Sequence, residues 1–71
     1  MTEFEKVTKE LIEWSVGKGF YPIEMIMEIS TASLSDDTWK IYNSWTENEE
    51  AAFLIYFGSE CMKRLKRMEE N

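Results

Sequence analysis

The chain has 71 residues, 44% of them apolar, with a formal charge of −6 and four Phe, three Trp and three Tyr. That length admits one small domain, and the aromatic content excludes a disordered acidic tail. No apolar run approaches the roughly 18 residues of a membrane span; with no histidine and one cysteine, histidine-based catalysis, most metal chemistry and an internal disulfide all fall away.

The first predicted element covers residues 3–16. Thr2 and Glu5 form a capping-box pattern, and Phe4, Val7, Leu11 and Trp14 recur at three- and four-residue spacing along one helix face. Gly17 and Gly19 supply a left-handed stop and a turn. Residues 21–29 are ambiguous, because Ile23, Met25, Met27 and Ile29 alternate as in a strand. Helix is the better reading: Pro22 suits a first helical turn, Glu24 and Glu28 share a face, and a lone strand would have no partner. A helix over 22–30 is expected.

Ser30 to Leu34 is a polar connector. Ser35, followed by Asp36 and Asp37, makes a hydroxyl cap with two negative charges at the positive end of the helix dipole. Trp39, Tyr42 and Trp45 then follow at spacing three, the first two on a short helix over 36–44 and Trp45 just past its end. Thr46 and Glu49 form a second capping box, so the chain breaks and restarts. From Ala51 to Phe57 every residue is apolar, and a helix apolar all round is expected to be surrounded. The wider stripe of Ala51, Leu54, Gly58, Cys61, Leu65 and Met68 keeps a period near 3.5, within a helix over 47–69. The fold class is therefore all-α, a small bundle of four helices.

The last helix, at about 34 Å, outruns a first helix of about 21 Å, so its end should project with apolar residues uncovered. Small domains usually supplement a thin core with a disulfide, a metal or self-association; self-association is the remaining device of these here, although idealised helical packing can also suffice. A homodimer through Leu54, Gly58, Cys61, Leu65 and Met68 is the expectation.

Chemistry finds little support. Cys61 has no histidine beside it and reads as a small hydrophobe on the apolar stripe. Acidic pairs such as Glu10 with Glu13, Asp36 with Asp37 and Glu49 with Glu50 read as solvated faces or helix starts. No zinc spacing, calcium loop or phosphate loop is present, so no metal and no cofactor is expected.

Three surfaces remain for a partner. Trp39, Tyr42 and Trp45 read as core, or else as the aromatic anchor of a protein-binding site. Lys63, Arg64, Lys66 and Arg67 form a basic end on an acidic body; they complement the helix dipole, or contact phosphate or an acidic partner patch. Glu3, Glu10, Glu13, Glu24 and Glu28 could display carboxylates in imitation of DNA. The average negative field disfavours direct nucleic-acid binding. The reading is a non-enzymatic, self-associating regulator or inhibitor that binds another protein. With no leader pattern, one unpaired cysteine and five methionines, it is expected in the cytoplasm and not at a membrane.

Overall fold

The computed structural model describes residues 1–19 and 21–69, with side chains in the last helix as far as Arg64. Four α-helices follow one another: α1 (Glu3–Ser15), α2 (Pro22–Met27), α3 (Asp36–Ser44) and α4 (Glu47–Glu69), with a 3-10 turn at Ile29–Thr31. No strand occurs among the described residues, so the ambiguous segment resolves as helix.

Local chemistry sets each start. The Glu5 amide donates to the Thr2 hydroxyl at 3.1 Å, and the Thr38 amide donates to the Ser35 hydroxyl at 3.3 Å. At α4 the box closes in both directions: the Glu49 amide donates to Thr46 Oγ1 and the Thr46 amide to Glu49 Oε1, each at 3.2 Å. α2 uses a half-box that the sequence reading missed, with the Tyr21 amide donating to Glu24 Oε1 at 3.1 Å. α1 ends where Gly17 and Gly19 take φ of 83° and 70°, a region that favours glycine.

α2 is shorter than the expected 22–30. It ends at Met27, and the next residues tighten into the 3-10 turn, where the Thr31 hydroxyl bonds back to the Glu28 carbonyl at 2.8 Å. The Thr31 hydroxyl competes for a backbone partner in this way where the α-helical ladder gives way to the 3-10 turn. The turn drops Ile29 and then Ala32 and Leu34 into the interior.

The core gathers Val7 and Leu11 from α1, Ile29, Ala32 and Leu34 from the connector, Trp45, and Phe53, Phe57 and Cys61 from α4. Phe4 is its aromatic hub, with ring centroids 5.2 Å from Trp45 and 5.8 Å from both Phe53 and Tyr56. Trp45 and Phe53 lie 5.0 Å apart, and Phe53 and Phe57 5.8 Å. Such offset and edge-on pairs add to the area they bury.

A polar clamp joins α1 to α3. Glu10 Oε1 accepts the Ser35 amide at 2.8 Å, and Oε2 takes the Thr38 hydroxyl and lies 3.1 Å from the Ser35 hydroxyl. Burial pushes the Glu10 carboxyl up, but the Ser35 and Thr38 donors and the nearby Lys6 outweigh it and hold it below its ordinary value. Sequence reading placed Glu10 on an outer face; α3 turns that carboxylate into a fastener.

Candidate interaction surface

α4 carries two apolar faces. Phe53, Phe57 and Cys61, four residues apart, face the other helices, and both phenylalanines are 2% exposed. Beside them Ala51, Leu54, Ile55, Gly58 and Met62 recur at helical spacing along a second stripe. Leu54 is 48% exposed, Ile55 74% and Met62 71%. The expectation that residues 51–57 are surrounded therefore fails within one protomer. α1, α2 and α3 cover one flank of a 23-residue rod and leave the other to solvent.

This arrangement corrects the proposed dimer stripe at one position. Cys61 is buried against the core, because it shares a face with Phe53 and Phe57, and Met62 takes its place on the open side. Leu54 and Gly58 do lie on the open stripe. The side chains of Leu65 and Met68 fall outside the described residues, as do those of Lys66 and Arg67. Ile55 and Met62 were not among the expected interface residues. They could have been found by fixing the core face on the phenylalanines first and reading the stripe relative to it.

The aromatic triplet is divided by depth. Trp45 is buried, so it serves the core and offers no binding surface. It caps the end of α3, where the chain must turn inward to begin α4. Trp39 and Tyr42 are half-buried and continue the ring contacts outward, with centroids 5.8 Å apart and Tyr42 5.6 Å from Trp45. Tyr42 also borders a shallow cleft with Ile26, Ile29, Glu50, Phe53 and Leu54. Burial, then the Glu50 carboxylate, raises the Tyr42 hydroxyl above its usual pKa, so it remains a neutral donor at the cleft rim. Trp39 lies on another side, in an open depression with Asp36, Lys40, Asn43 and Ser44.

The charged candidates are less organised. Lys63 and Arg64 are exposed, and Lys63 Nζ lies 3.3 Å from Glu60, an exposed pair worth little to stability. Of the five carboxylates considered for a DNA-like array, Glu10 and Glu24 are bound to backbone amides. That leaves Glu3, Glu13 and Glu28 facing outward. Burial pushes the Cys61 thiol up, with Arg64 opposing, which leaves it a poor nucleophile at neutral pH. Among the described residues no group of three or more acidic or cysteine side chains could hold a metal ion, and no helix is long and apolar enough to cross a membrane.

No family model matches the chain, and no curated protein or solved structure shows significant similarity to it.

Proposed function

We propose that this is a non-enzymatic, protein-binding regulator that works as a homodimer built on α4. The observation that carries this reading is the open stripe through Ile55 and Met62, with half-exposed Leu54 at its edge. Contiguous apolar surface of that kind on a small domain favours a polypeptide cover, and a second copy is always available. The dimer also supplies the stabilising device that a thin core with one free cysteine otherwise lacks. Trp39, half-buried in an open depression with Asp36, Lys40, Asn43 and Ser44, would then serve as the aromatic anchor for a different protein.

Light scattering on the full chain at hundreds of micromolar tests the first half. Wild type should show twice the protomer mass, and Ile55→Glu should show one protomer mass with unchanged helical circular dichroism. A wild-type protein that stays monomeric at that concentration would falsify the reading.

A further inference from the structure

We propose that the two copies of α4 pair antiparallel and cross at Gly58. This rests on the self-association reading above and goes further by assigning the direction and the register of the pair. Gly58 lies in the middle of the open stripe, inside a 23-residue helix, and does not have a positive φ. A Cβ built there meets nothing within 4 Å. The protomer's own fold therefore gives no reason for glycine at the site, although glycine weakens a helix interior. Close approach of a second helix backbone would give one.

Direction follows from charge. The first turn of α4 carries Glu47, Glu49 and Glu50, while the final turns carry Lys63, Arg64, Lys66 and Arg67 against Glu60 and Glu69, a net positive end. Parallel pairing would stack acid on acid and base on base. Antiparallel pairing places the acidic end of each copy beside the basic end of the other, and also opposes the helix dipoles. A two-fold axis at Gly58 further matches the apolar residues. Leu54 and Met62 lie four positions to either side, so each Leu54 comes level with the Met62 of the other copy.

Spin labels at Asn48→Cys, in a Cys61→Ala background, read the geometry by double electron–electron resonance. Residue 48 is exposed and ten residues from the crossing point, so antiparallel pairing separates the two labels by about 30 Å along the axis. Parallel pairing brings them side by side. The second measurement is sedimentation equilibrium of Gly58→Leu, whose side chain would wedge the backbones apart and raise the dimer Kd roughly tenfold or more. Gly58→Ala serves as the milder variant if leucine disturbs the fold. Long label distances together with weakened association support the proposal. A dimer with adjacent labels, or one indifferent to both substitutions, overturns it while leaving the self-association reading intact; a monomer overturns both.

Discussion

The two apolar faces of α4 are made from similar residues and meet different fates. Phe53, Phe57 and Cys61 are enclosed by α1, the connector and Trp45, whereas Leu54, Ile55 and Met62, roughly a sixth to nearly half a turn from Phe57, are about half or more exposed. Composition does not separate them. The difference lies in what stands opposite, because three short helices can shield one side of a longer one and no more. An apolar residue on this helix thus reports that it will be covered, without saying by which chain.

The strongest way to break that contrast is to truncate one residue from each face. Phe53→Ala should cost about 3–5 kcal/mol, a large share of the roughly 4–10 kcal/mol expected for a domain of this size. Ile55→Ala should change the stability of the dilute protomer by less than about 0.5 kcal/mol. Urea titration below the dimer Kd checks both, since at higher concentration the two equilibria mix. Comparable losses from the two substitutions would mean that the second face is not open.

A smaller effect concerns how α3 is held while α4 packs. Removing the carboxylate in Glu10→Ala should cost about 1–2 kcal/mol, given charge-assisted bonds that remain partly exposed. Because the folded Glu10 carboxyl ionises below its ordinary value of 4.5, its stabilisation is present above that pH. It is lost as pH falls through the lower folded value. Wild type should therefore lose stability more steeply than Glu10→Ala between about pH 5 and pH 3, which thermal melts across that range would reveal. Parallel curves for the two proteins would show that the clamp does not form in solution.

The smallest expected effect carries opposite signs in the two association states. With open space at its Cβ position, Gly58→Ala should stabilise the dilute protomer by about 0.5–1 kcal/mol. The same methyl group at a close helix crossing should weaken the dimer. Melting temperatures that rise at low concentration and fall at high concentration would sharpen the distinction between the faces.

Helix boundaries were legible wherever a side chain acts on its own backbone. Thr2, Ser35, Thr46, Pro22 and the glycines at 17 and 19 all act within a few residues, so their consequences can be read along the chain. The end of α2 was less legible, because the apolar pattern continues past Met27 to Ile29 while the Thr31 hydroxyl bonds back to the Glu28 carbonyl. At the candidate site, Leu54 and Gly58 were found by periodicity and Cys61 was misplaced. A nearly continuous apolar run leaves the inward direction undetermined by about a residue.

By itself the sequence determined the number of helices, their starts and the apolar excess of the last one, since these follow from caps, dihedral preferences and composition. Tertiary structure decided which flank of α4 is buried, that Trp45 belongs to the core, and that Glu10 binds Ser35 and Thr38. Those outcomes depend on how segments distant in sequence meet, as over the 25 residues between Glu10 and Ser35, and local pattern carries no such information.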